Sequence, residues 1–136
     1  MNEPDWITEE DCLAFHAMMI DRFGGIEGLR DRGLLLSALA RPQQHFHYSG
    51  NDRFALAAAY AHGIVKNHPF LDGNKRSGFL CAAFFLELNG HRFNAPEEYV
   101  VLQTLALASG EISEKDYALW LADSCGELDP PLPPDP

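Results

Sequence analysis

The chain has 136 residues, 46% of them apolar, which suits one domain with its own core rather than a disordered chain. Ten basic residues stand against twenty acidic ones, a formal net charge of −10, so the many Lys and Arg contacts that duplex DNA demands are missing, and a basic partner or plain solubility fits better. No apolar run of about eighteen residues occurs, the start MNEPDWITEED is acidic, and the three cysteines (Cys12, Cys81, Cys125) lie far apart with no Cys-x-x-Cys spacing, which argues against a membrane span, a secretory signal, a disulfide framework or a zinc site and points to a reducing cytoplasm.

Taken in chain order, the pattern is helical almost throughout. Thr8, with Asp11 three residues on, opens a helix whose apolar side includes Leu13, Met18 and Phe23 and which stops at Gly24–Gly25. Asp31 is a plausible N-cap for a short helix ending before Pro42. Residues 42–51, PQQHFHYSGN, lack helical periodicity and read as a loop or short hairpin. Asn51 or Asp52 caps the next helix, through about Lys66. A long apolar helix follows from about Asn74 to Asn89, with Gly90 as its stop; apolar on nearly every side, it is expected in the centre. Helices then run from Asn94–Pro96 to about Ala108, and from the box-like Ser113 and Asp116 to about Ser124. Residues 126–136, GELDPPLPPDP, hold five prolines and are expected to lie outside the core as an extended or disordered tail. The expectation is a compact all-α domain over 1–125, a bundle of six or seven helices around a central buried helix.

Polar residues gather at the start of the long apolar helix, in NHPFLDGNKRSG over 67–78. The first turn of a helix presents unpaired N–H groups and a partial positive charge, a ready site for phosphate. Gly73 lets backbone approach a ligand, and Lys75 and Arg76 add two positive charges. Cations there oppose the helix dipole, so they serve stability poorly and suit an arriving polyanion. Asp72 is the kind of oxygen ligand that Mg²⁺ takes when it also holds substrate phosphates. Asn74 could bond a phosphate or orient the acid, and His68 titrates in the range of a general base. Base, metal ligand and phosphate cradle are the parts of phosphoryl or nucleotidyl transfer. The same residues could instead form a solvated helix cap, and the residues alone leave both readings open. GNKRS is not a Walker A loop, because it lacks the second Gly and the spacing.

The stretch HPFLDGNKR resembles the signature of the Fic/Doc family, His-x-Phe-x-Asp/Glu-Gly/Ala-Asn-Gly/Lys-Arg. The likeness extends to GGIEGLRDRGLLLSALARP, FFLELNG and ASGEIS, which are similar to segments of death-on-curing (Doc) toxins, and so spans about residues 5–123. It implies the small all-helical Fic core. AMP-transferring members usually carry Gly after the Asn and a second Arg three residues after the first; Lys75 and Phe79 stand there and resemble Doc, a protein kinase acting on elongation factor Tu. Gly73 is the general Fic residue where the best-known Doc has Ala. The resemblance implies that His68 is the base for a target hydroxyl and that Asp72 holds Mg²⁺. It further implies that Gly73, Asn74, Lys75 and Arg76 bind ATP phosphates, with Phe70 an apolar anchor.

Other features are weaker. His45 and His47 have no third ligand at helical spacing. By position in the family, Phe46 and Tyr48 suit a flap that docks the target chain by strand pairing. His62 reads as a packed core histidine, and Asp31–Arg32 as a cap with a solvated neighbour. The inhibitory Ser/Thr-x-x-x-Glu-Gly/Asn motif of some Fic proteins is not met, since Phe23 precedes Glu27–Gly28 where Ser or Thr is needed. Inhibition is therefore expected from a cognate antitoxin. The reading is a Doc-type toxin with kinase activity; the alternatives are a Fic-type AMP transferase and a catalytically silent partner-binding module.

Overall fold

Helix starts follow their caps. A computed structural model describes residues 3–127. Thr8 and Asp11 form a reciprocal capping box that starts α1 (Glu9–Phe23), and Asp31 caps α2 (Arg32–Ser49). The Asp52 carboxylate accepts from the N–H groups of Phe54 and Ala55 to start α3 (Arg53–Asn67). Gly73 precedes α4 (Asn74–Leu88) without a side-chain cap. After α5 (Glu97–Ser109), a second box of Ser113 and Asp116 starts α6 (Glu114–Asp123). The fold is all-α, six helices among the described residues, with one small antiparallel sheet of β1 (His91–Phe93) and β2 (Cys125–Glu127). Gly126 and Glu127 thus belong to β2, and the proline-rich stretch 128–136 lies outside the described residues.

Three sequence expectations are corrected. First, α2 does not stop before Pro42, and 42–49 is helix rather than loop. An interior proline costs about 3 kcal/mol locally. Here tertiary packing offsets it: Leu35, Ala38, Leu39 and Pro42, spaced as one helical face, are all buried. Gly63 lies close against Ala38, whose carbonyl Pro42 cannot serve as donor; a Cβ on Gly63 would stand 3.3 Å from that oxygen. Second, the central helix is α3 rather than α4. Residues 56–61 of α3 are buried in unbroken succession, so that helix is enclosed on every side, whereas Phe84 and Leu88 of α4 are exposed. Its run of alanines allows the neighbouring helices to come close. Third, the inward face of α1 is Cys12, His16 and Met19, while Met18 and Phe23 point outward.

The two strands are three residues each, too short to show alternation in sequence. They hold Phe93 against Phe79 and Trp120 and tie the end of α6 back toward α4. Cys12 and Cys81 meet between α1 and α4 with their sulfurs 3.4 Å apart as free thiols. His62 is half-buried rather than enclosed, its Nε2 4.0 Å from Glu114 on α6. Among the described residues no helix is long and apolar enough to cross a membrane.

Candidate active site

Pro69 ends α3 and the chain reverses through residues 68–73 into α4. His68, the C-cap, sits at φ 54° and ψ 53°, the only non-glycine with positive φ among the described residues. Left-handed backbone is unfavourable for such a residue and must be held by its surroundings. The holding segment is 28–31, which runs antiparallel to the loop. Leu71 N–H donates to Gly28 O (3.0 Å), and the N–H groups of Arg30 and Asp31 donate to Pro69 O (2.7 and 3.0 Å). The Arg30 side chain adds Nε to His68 O at 2.7 Å and Nη2 to Asn67 O at 2.9 Å.

Within the loop, Asn74 is buried and its side chain is bonded twice to Phe70. Its Oδ1 accepts from Phe70 N–H (2.9 Å) and its Nδ2 donates to Phe70 O (3.0 Å). The side chain braces the loop, and Asn74 also lines the cleft at the helix start. Phe70 is buried, as an anchor should be, and His16 stacks on it with centroids 3.8 Å apart and planes 5° apart. His16 Nε2–H donates to Asp72 O at 2.9 Å, since a carbonyl can only accept.

Asp72 turns its carboxylate outward. Oδ1 accepts from Gly73 N–H (2.9 Å) and Oδ2 from Ile26 N–H (3.2 Å), which fixes the group and leaves lone pairs toward solvent. Gly25 makes this approach possible: a Cβ there would stand 2.8 Å from Oδ2, and its φ of 125° disfavours side chains. Gly73, left-handed at φ 75°, could carry a Cβ only by displacing the Met19 methyl.

His68, Asp72, Gly73, Asn74, Lys75 and Arg76 line one cleft of about 310 Å³ together with Met19, Phe23, Gly24 and Leu71. The Arg76 guanidinium lies 4.1 Å above the Phe23 ring, a cation–π contact that orients it. The α4 start, uncapped by any side chain, turns its first N–H groups to the same place. An apolar groove of about 350 Å³ adjoins it, sharing Met19, Phe23 and Arg76 and continuing to Phe79, Leu80, Val100 and Val101. A single carboxylate suits Mg²⁺ that also holds nucleotide phosphates, and does not suit an all-protein cage; among the described residues no group of three or more His, Cys, Asp or Glu could hold a metal.

Phe46 and Tyr48 are not part of this cleft. They sit in the last turns of α2, where Phe46 packs edge-on against Trp6 (5.7 Å) and Tyr48 projects into solvent. A helical segment cannot offer strand pairing, so the flap assignment is corrected; the segment paired with the loop is 28–31. Sequence reasoning missed His16, Gly25 and Arg30. Gly24–Gly25 signalled only a helix stop, although two successive glycines also allow close backbone approach. A lone His on a helix and an Arg beside a cap carry no pattern that marks them.

A family model described as "Fic/DOC family" matches residues 6–86. The chain is similar to "Protein kinase doc" of Escherichia phage P1, 34% identical over 114 residues, which cover 82% of this chain and 89% of that protein. It is also similar to "Toxin Doc" of Mycolicibacterium smegmatis (strain ATCC 700084 / mc(2)155), 37% identical over 90 residues, 63% of this chain and 65% of that one.

Proposed function

Because the chain belongs to the Fic/Doc family, we propose that it is the toxin of a bacterial toxin–antitoxin pair, a kinase that moves the γ-phosphate of ATP to a Ser or Thr hydroxyl of a target protein. The observation that carries this reading is the single cleft in which His68, Asp72, the two cations and the open start of α4 converge. The names of the two relatives, a protein kinase and a toxin, support it.

In this reaction His68 takes the proton of the target hydroxyl, whose oxygen forms a bond to the γ-phosphorus. The bond from that phosphorus to the bridging oxygen of ADP breaks, and ADP leaves with the electron pair. Lys75, Arg76 and the first N–H groups of α4 hold the phosphates and offset the negative charge on them. Mg²⁺ held by Asp72 and the phosphates would supply further charge neutralisation. Asn74 keeps Phe70 and the loop in place.

AMP transfer is the competing chemistry. Phe79, one turn after Arg76, packs against Phe93 at 5.2 Å and presents an apolar ring where a second phosphate-holding cation would be needed. That favours γ-transfer. A cytoplasmic setting follows from the target proposed, elongation factor Tu. The antitoxin is expected to lay an amphipathic segment along the apolar groove next to Arg76, its polar face basic to suit a chain of net charge −10.

The test is incubation of the purified chain with elongation factor Tu, Mg²⁺ and ATP labelled at either the α or the γ position. Only the γ label should enter the target. Entry of the α label would establish AMP transfer, and entry of neither, into this target or into proteins of a bacterial extract, would favour a silent binding module.

A further inference from the structure

We propose that Arg30 is a positioning residue for His68, its guanidinium spanning the carbonyls of Asn67 and His68 at the end of α3 and holding His68 in the left-handed conformation that sets its ring in the cleft. The proposal rests on the reading of His68 as the base.

The backbone of His68 is against its local preference twice over. Left-handed geometry disfavours a residue with a Cβ, and the residue before a proline is pushed toward extended backbone. His68 precedes Pro69 and yet sits at φ 54° and ψ 53°. A helix end tolerates a left-handed residue, but the following proline favours the extended state, so tertiary contacts are needed to tip the balance. Its N–H, bonded to Ile64 O at 3.0 Å, ends α3 and fixes only the near side of the residue. On the far side, His68 O accepts from Arg30 Nε at 2.7 Å, while Nη2 of the same guanidinium takes Asn67 O at 2.9 Å. A planar fork across two successive carbonyls fixes the orientation of both peptides, which a single donor does not. The carbonyls at the end of α3 also carry the negative end of the helix dipole, and Arg30 makes no ion pair among the described residues, so its charge is spent there.

This contact does not serve to join the two segments. Main-chain bonds from Arg30 and Asp31 to Pro69 O, and from Leu71 to Gly28 O, already do that. The side chain acts on the two residues before Pro69, where the conformation of His68 is decided. Released into extended backbone, His68 would carry its ring away from the cleft it lines with Asp72 and Lys75, while the start of α4 would stay intact. The consequence is a defect in the chemical step without a defect in nucleotide binding.

The experiment compares Arg30→Met, Arg30→Lys and Arg30→Ala with the parent, and with Arg92→Met as a charge-matched control at an exposed position. With γ-labelled ATP and a target protein, Arg30→Met is expected to lose roughly 10- to 100-fold in kcat with KM for ATP unchanged within about twofold. Arg30→Lys, which keeps the charge but not the fork, should fall nearly as far. Guanidinium at millimolar concentration should restore part of the rate to Arg30→Ala, and methylammonium should not. A reading independent of activity is the three-bond amide–Hα coupling and the Cα shift of His68 by NMR. Both should report left-handed backbone in the parent and leave that range in Arg30→Met. Parent-like kcat in Arg30→Met and Arg30→Lys, or parent-like His68 coupling in Arg30→Lys should Arg30→Met not fold, overturns the proposal. If the parent transfers no phosphate at all, the reading of His68 as base fails, while the coupling still decides whether Arg30 holds its backbone.

Discussion

Asn74 and Phe70 are joined twice, the amide oxygen taking the Phe70 N–H at 2.9 Å and the amide nitrogen giving to the Phe70 carbonyl at 3.0 Å. One side chain thus satisfies both main-chain polar groups of a buried residue in a loop that has no ladder to satisfy them. Asn74→Ala should leave both unpaired and cost on the order of 2–4 kcal/mol, read as a lower urea midpoint. Asn74→Asp should fall between, because a carboxylate accepts from the N–H but repels the carbonyl. A loss below about 0.5 kcal/mol in Asn74→Ala would mean the loop holds without this brace.

Gly25 gives a second test of how the carboxylate is placed. Gly25→Ala sets a Cβ against Asp72 Oδ2 at a φ that costs a side chain roughly 1–3 kcal/mol. Transfer should then need a higher Mg²⁺ concentration for half-maximal rate. An unchanged Mg²⁺ requirement would show that Asp72 does not act through the metal.

Much of this architecture is legible in sequence, and what is missed shares one cause. Thr8, Asp31, Asp52 and Ser113 mark their helices because a cap is a local event within four residues. The motif 68–76 marks the cleft because its members are consecutive. The continuation of α2 through Pro42 is not legible, because it depends on Gly63, twenty-one residues on, fitting against Ala38. The central position of α3 escapes because small alanines read as weakly apolar and yet allow closer packing than the large side chains of α4. His16 and Arg30 reach the site across 56 and 38 positions, and no local pattern encodes such contacts.

The two cations should separate in their effects. Lys75→Ala and Arg76→Ala should each weaken ATP binding, and added salt should imitate them in part by screening. Without nucleotide, Lys75→Ala should hold or slightly gain stability, since a cation at a helix start opposes the dipole. Arg76→Ala should lose about 0.5–1 kcal/mol, because the stack on Phe23 goes with it. A large loss in Lys75→Ala would favour the structural reading of the cluster.

His62 gives the fold a pH dependence of predictable sign. Burial lowers its pKa from 6.5; Glu114 opposes this, while Arg41 and Lys66 add to it. The unfolded chain therefore takes a proton more readily than the folded one, so the stability from neutral His62 is complete above pH 6.5 and is lost as pH falls below it. Melting temperatures measured from about pH 7.5 down to about pH 5.5 should fall less in His62→Gln than in the parent. Equal slopes would place the acid sensitivity elsewhere.

The most direct measurement is phosphate transfer by His68→Ala with ATP binding followed on the same preparation. The account predicts a loss of roughly two to four orders of magnitude in transfer to the target hydroxyl, with ATP and Mg²⁺ bound as tightly as by the parent. Transfer at the parent rate would contradict it, because the proton of the attacking hydroxyl would then be leaving by a route that does not involve this histidine.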